Sequence, residues 1–265
     1  MAIIVSVHSF RGGTGKSNTT ANLASVVAGA GHRVGVIDGD IQSPGIHVLF
    51  GLTGDHVQAS LNDFLWHGRP IAEVAHDVTD RLDADIAGRL FLIPSSMQPG
   101  EITRVLREGY DAQRLTAGIR ELVDALDLDV LFIDTHPGLN EETLLSLVIS
   151  HVLLIVMRPD RQDFEGTGIT ARVARELEVP NVQIVVNKAP VQLDPSDVAE
   201  RVTTAYGVPV AAVLPHSDEL MQLASEGVFV LRHPDDPLAE RYRRLAARIV
   251  PSLLPQPLDD PPVPV

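Results

Sequence analysis

His8-Ser-Phe-Arg-Gly-Gly-Thr-Gly-Lys-Ser17 lies between an apolar run, Ile3–Val7, that reads as a buried strand and a segment, Asn18–Ala30, that reads as a helix. Strand, glycine-rich turn ending in Lys-Ser, then helix is the context that a phosphate-binding loop requires. Gly12, Gly13 and Gly15 admit backbone angles that side chains disfavour, so successive N–H groups can turn inward onto an anion. The helix N-terminus adds unpaired N–H groups and its dipole. In that setting Lys16 is expected to carry its charge to the β- and γ-phosphates, and Ser17 to offer its hydroxyl to Mg²⁺. Thr14 and Asn18 complete the expected nucleotide-contacting set. The plain alternative is a glycine turn between two core elements. Finding the strand, Gly-Lys-Ser and the helix together argues against it.

The common pattern G-x-x-x-x-G-K-[ST] does not fit. It needs glycine at position 10, where Phe10 stands. What fits is a variant with a basic residue directly before Gly-Gly, here Arg11.

Composition sets the outer bounds. The chain has 265 residues, 45% of them hydrophobic, enough for one large α/β domain without a second. A single domain over 1–250 and a proline-rich, acidic, disordered tail over 251–265 are expected. There is no cysteine, so no disulfide framework and no thiolate-bound zinc or iron–sulfur cluster can form within the chain. No signal peptide or bilayer-length apolar run is present, and a cytoplasmic protein is expected. A formal net charge of −14 and 4% aromatic residues argue against broad nucleic-acid binding.

Strand and helix patterns alternate along the rest of the chain, which predicts a doubly wound, mostly parallel sheet of seven or eight strands with helices on both faces. Arg33–Ile37 reads as a strand and runs into Asp38-Gly-Asp40. Carboxylates at a strand's C-terminal end, on the same edge as the phosphate loop, are where such a sheet does its ligand chemistry. Asp129–Asp134 is the clearest buried strand. Its terminal Asp134 has the Walker B arrangement, in which the carboxylate holds Mg²⁺ directly or through water. The turn that follows, Thr135-His-Pro-Gly138, offers a glycine N–H that could sense a γ-phosphate. Further strands are expected at Leu90–Pro94, Val152–Val156, Val182–Val186 and Val210–Leu214. One helical region is expected from Gln98 through Leu126. Trp66–Gly88 reads as an irregular acidic surface excursion.

Four stretches, Arg11–Ser17, Asp38–Asp40, Phe132–Gly138 and Val185–Asn187, together resemble the MinD/ParA family of deviant Walker ATPases. The resemblance spans nearly the whole chain. It implies a cytosolic ATP switch whose monomers bind ATP and Mg²⁺, form a face-to-face homodimer, engage an unidentified partner or cargo protein, and hydrolyse slowly. Lys16 then binds phosphate, and Ser17, Asp134 and Asp38 support the metal. Asp40 orients or activates the attacking water. Asn187 is placed to read the adenine, with Pro215 and His216 in the loop that closes over the base. Asn187 alone is more often an ordinary turn residue. Arg11 departs from the lysine usual there; it keeps the charge but adds a planar fork of donors. A cross-dimer contact, dimerisation with altered hydrolysis, and a solvent-facing side chain are all open for it.

A nucleotide-binding scaffold with little hydrolysis is the alternative function, and a metabolic P-loop ligase a further one. The ligase would need a second-substrate pocket, for which the sequence shows no pattern. Direct membrane binding is not expected, since Leu254-Pro-Gln-Pro-Leu-Asp-Asp260 can neither form an amphipathic helix nor attract anionic lipid. Arg241, Arg244 and Arg248 project from the last helix. A solvated face is the first reading for them, and a weak contact to DNA phosphates the second.

Overall fold

The computed structural model describes residues 2–82 and 84–255. Its centre is β5 (Val130–Thr135), buried along its whole length, as a parallel strand covered on both faces must be. β5 lies between β1 (Ile3–His8) and β2 (Arg33–Gly39). Beyond β2 come β4 (Arg89–Ile93) and a two-residue edge strand, β3 (His76–Asp77). Beyond β1 come β6 (Val152–Met157), β7 (Val182–Ala189) and β8 (Val210–Pro215). The order is β3-β4-β2-β5-β1-β6-β7-β8. Only β3 runs antiparallel to its neighbour. The expected doubly wound parallel sheet is therefore found.

Side-chain alternation sorts the core into layers. Val130 and Phe132 join one cluster with Val5, Val7, Val34 and Val36. It is covered by α1 (Lys16–Gly29) and α11 (Pro237–Ile249), with α2 (Ile46–Leu49) and α10 (Phe229–Arg232) at its margins. Leu131 and Ile133 point to the other face, under α3 (Leu61–His67) and α5 (Ala112–Ala125). A third cluster packs β6–β8 against α7 (Arg161–Glu176) and α8 (Pro195–Tyr206). The remaining helices are α4 (Pro99–Glu108), α6 (Glu141–Val148) and α9 (Asp218–Gln222).

Three expectations need correction. Residues 66–88 are not a surface excursion: Ile71, Val74 and Val78 are fully buried and β3 extends the sheet. The apolar residues of that stretch are irregularly spaced, but Ile71, Val74, Val78 and Leu82 reach the core. The region after Gln98 is two helices, because the chain turns at Gly109 and Asp111 caps α5 by accepting from Gln113 N and Arg114 N. The described start of the tail is a turn, in which Leu254 is buried and His32 Nε2 donates to the Leu253 carbonyl at 2.9 Å. The rest of the expected disordered tail lies outside the described residues.

Because seven of the strands run the same way, their C-terminal ends share one edge. Strand order changes direction at β1, whose neighbours are β5 and β6. A crevice at such a switch point is where an open α/β sheet places a ligand.

Candidate functional site

The loop after β1 is shaped by two glycines. Gly13 has φ +79° and Gly15, at the N-cap of α1, has φ +97°. A side chain would be strained at either. Asn187, at the end of β7, packs so closely on Gly15 that a β-carbon there would collide with its amide. The Asn187 amide donates to the Thr14 carbonyl at 2.8 Å, and its oxygen accepts from Lys188 N at 2.9 Å. Lys188 Nζ donates to the Gly13 carbonyl at 2.9 Å. Asn187, expected at the base, thus braces the phosphate loop from behind. Lys188 was not anticipated; its only sequence signal is its place beside Asn187.

Lys16 emerges from this loop almost fully buried, 3.8 Å from Asp134 Oδ1 and 3.9 Å from Asp40 Oδ2. One ammonium therefore serves two carboxylates, with a third, Asp38, opposite Asp134 on the adjacent strand. Burial pushes the Asp134 carboxyl above the ordinary carboxylate range, against the pull of Lys16 and a hydrogen bond from Ser17. Burial, together with Asp134 and Asp40, pushes Asp38 well above it. Such a cluster is short of positive charge.

Asp38 differs from its expected role at a metal. It is fully buried, and its two oxygens accept from Asp40 N and Gly45 N, both at 3.2 Å. Its carboxyl closes the 38–45 turn. Asp134 keeps one oxygen, Oδ2, buried with no hydrogen-bond partner. Ser17 reaches the same carboxylate from the start of α1.

Asp40 is held on its other oxygen. His136 Nδ1 lies 2.7 Å from Asp40 Oδ1, and Ser43 Oγ donates to the same atom at 2.8 Å. Neither residue was assigned a role from the sequence, although His136 lies within the marked Phe132–Gly138 stretch. Gly138 N, expected to be free for a γ-phosphate, donates to the Ser9 carbonyl at 3.0 Å. Beneath the loop His8 is fully buried. Thr135 Oγ1 donates to the Val7 carbonyl, so the 2.8 Å contact of His8 Nδ1 with that hydroxyl makes Nδ1 the donor. Burial, helped by Lys16 and His136, drives the His8 pKa down to about 3.

Arg11 is partly exposed and engaged within its own chain. Its guanidinium folds back within its own chain, donating to Gln162 Oε1 and lying 3.8 Å from the buried Asp163. Pro215 and His216 follow β8 beside the end of β7, where His216 N donates to the Ala189 carbonyl at 2.8 Å. The helix arginines are engaged within the chain, although Arg241 and Arg244 stay exposed. Arg241 donates to the Val213 carbonyl at 3.0 Å and Arg248 to the Ala211 carbonyl at 2.9 Å, strapping α11 to the outer strand β8. Arg244 pairs with Glu240 at 3.1 Å. Among the described residues, no helix is long and apolar enough to cross a membrane.

This geometry can be set beside known proteins. An uncharacterised ATP-binding protein of Methanocaldococcus jannaschii is 28% identical over 251 residues, which cover 94% of this chain and 88% of that one. The iron-sulfur cluster carrier protein of Pseudomonas fragi is 29% identical over 258 residues, covering 92% and 83%. The septum site-determining protein MinD of Pyrococcus horikoshii, solved in complex with Mg-ADP, has the same fold, with a TM-score of 0.76 at 20% identity over 94% of this chain and 96% of that one. The model of the CobQ/CobB/MinD/ParA nucleotide-binding domain matches residues 5–230, and the chain belongs to that family.

Proposed function

We propose that this protein is an ATP-binding and ATP-hydrolysing switch that dimerises when ATP is bound and positions or regulates a larger assembly. The observation that carries this reading is Lys16, buried between Asp40 and Asp134 at the mouth of the phosphate loop. The loop N–H groups and Lys16 bind the phosphates; Ser17 and Asp134 would hold Mg²⁺, with phosphate oxygens and water completing its shell. The unpartnered Asp134 oxygen and the surplus of carboxylates fit a divalent cation. Once bound, the ion offsets charge on the transferring phosphoryl group. Asp40, anchored by His136 and Ser43, orients the attacking water. The adenine is assigned to the neighbouring edge formed by Asn187, Pro215 and His216. Arg11 contacts the second protomer, which requires it to leave Gln162.

A scaffold that binds nucleotide and barely hydrolyses it is the second reading. It is favoured by the engagement of Asp40 Oδ1 with both His136 and Ser43. Iron–sulfur carriage, named for several relatives including the Pseudomonas fragi protein, would have to proceed without thiolate ligands from this chain, which has no cysteine.

Three measurements test the proposal. Lys16→Ala should lose ATP affinity at least tenfold by calorimetry; unchanged affinity overturns the loop assignment. Asp40→Ala should bind ATP and lose turnover, whereas equal, near-zero turnover in both proteins supports the scaffold. Sedimentation of the wild type with ATP and Mg²⁺ should show dimer, and an unchanged profile removes the dimerisation step.

A further inference from the structure

A cavity of about 310 Å³ opens beside the phosphate site, between α2, α3, α4 and the chain leaving β4. It shares a wall with that site. Ser95 Oγ donates to the Asp38 carbonyl at 2.6 Å. Gly45, the N-cap residue of α2, donates its N–H to the Asp38 carboxyl. The volume is at the low end for small-molecule sites.

Its walls are short of hydrogen-bond partners. His47 Nδ1 on α2 and Glu101 Oε2 on α4 line the cavity and are buried with none. Behind the wall, Asn62 Nδ2 on α3 is also unpartnered, while its oxygen accepts from Ser96 N at 2.9 Å. His47 is 7% exposed. Unmet polar atoms at this burial are unfavourable, and the two that line the cavity, from α2 and α4, point to an occupant.

The charge of the cavity narrows the chemistry. Asp63 and Glu101 line it, and no lysine or arginine does. Asp63 is committed to capping α3 through Ser60. His67 Nε2 lies 3.6 Å from Glu101 Oε1. Burial holds the His47 pKa below the ordinary imidazole value, so at neutral pH that ring contributes no compensating charge. Among the described residues no group of three His, Asp or Glu side chains is arranged to hold a metal ion. We infer that this cavity binds a small organic ammonium ion of amino-alcohol size, its ammonium group on Glu101 and its hydroxyl among His47, Ser95 and Ser96. The inference is independent of the nucleotide reading.

The test uses the full chain without nucleotide and ethanolamine hydrochloride as probe. Trp66, the sole tryptophan, lies on α3 with Arg104 of α4 stacked 5.3 Å from its ring centre, so its fluorescence reports on the α3–α4 wall. Ethanolamine should give a saturable change that sodium and Mg²⁺ at equal ionic strength do not give. Glu101→Gln, which keeps the side-chain shape, should weaken the apparent Kd at least tenfold. His47→Leu, the second variant, should do the same. No saturable response in the wild type means that the cavity holds only water, and overturns the inference. So does an unchanged Kd in either folded variant, or equal competition by Mg²⁺.

Discussion

The ring of Phe10 lies against Gly166, in the space that a β-carbon on α7 would fill. Phe10 stands where the common phosphate-loop pattern has glycine, and α7 accommodates it by presenting bare backbone. Gly166→Ala should therefore destabilise the protein by about 1–3 kcal/mol through overpacking. In a Phe10→Ala background the same change should stabilise, since alanine is the better helix former by roughly 1 kcal/mol. Urea unfolding of the four proteins of this cycle reads the reversal. Equal effects in both backgrounds would show that the two residues do not share that space.

His136 joins the turn after β5 to the turn after β2 through Asp40. A hydrogen bond to a charged carboxylate is worth about 1.5–3 kcal/mol. If that bond fixes Asp40 for catalysis, His136→Ala should lower kcat roughly 10- to 100-fold, with a much smaller change in ATP affinity. His136→Asn, which keeps a donor near Nδ1, should recover part of the loss. A variant that loses affinity and turnover equally would instead make His136 part of the binding site.

The parts of this site that could be read from the sequence are those carried by chain-local patterns. Gly13, Gly15 and Lys16 follow one another on a strand–turn–helix, and Asp134 ends a strand too apolar to be anything but buried. The missed parts are pairings across the fold. Nothing near Asn187 in sequence says that its amide will meet Thr14, 173 positions away. Nothing near Phe10 says that Gly166 is its seat. The partners of Arg11 within the chain, Gln162 and Asp163, were hidden for the same reason: they belong to α7. Residues 66–88 failed differently, since their apolar residues are irregularly spaced and give no periodic signal, although Ile71, Val74 and Val78 are fully buried.

Arg241 covers a backbone carbonyl of β8, an outer strand whose open edge would otherwise be available for pairing. Arg241→Ala should lower stability by about 1 kcal/mol, the worth of a typical hydrogen bond. Because these guanidinium groups are engaged and the chain carries net charge −14, retention of duplex DNA at physiological salt should stay at background for wild type and variant alike. Salt-sensitive retention that Arg241→Ala reduces would restore the phosphate-contact reading for α11.

His8 gives the protein an acid-sensitive foundation under its phosphate loop. In the unfolded chain its imidazole takes a proton near pH 6.5, while in the folded protein burial keeps it neutral down to about 3. Between those values the unfolded state binds the extra proton, so His8 makes stability fall as pH falls. At pH 5 that loss amounts to about 2 kcal/mol. Asp38 and Asp134 act in the opposite sense. Their raised pKa values let the folded state hold protons that unfolded carboxylates would release. The wild-type profile alone therefore mixes the two, and the difference from a variant isolates His8. His8→Asn can still donate to Thr135 but does not titrate. Between pH 7.5 and 5 it should lose about 2 kcal/mol less stability than the wild type in urea unfolding. Parallel profiles would mean that the His8 ring is protonated in the folded protein, with a partner for Nε2 that this packing does not provide.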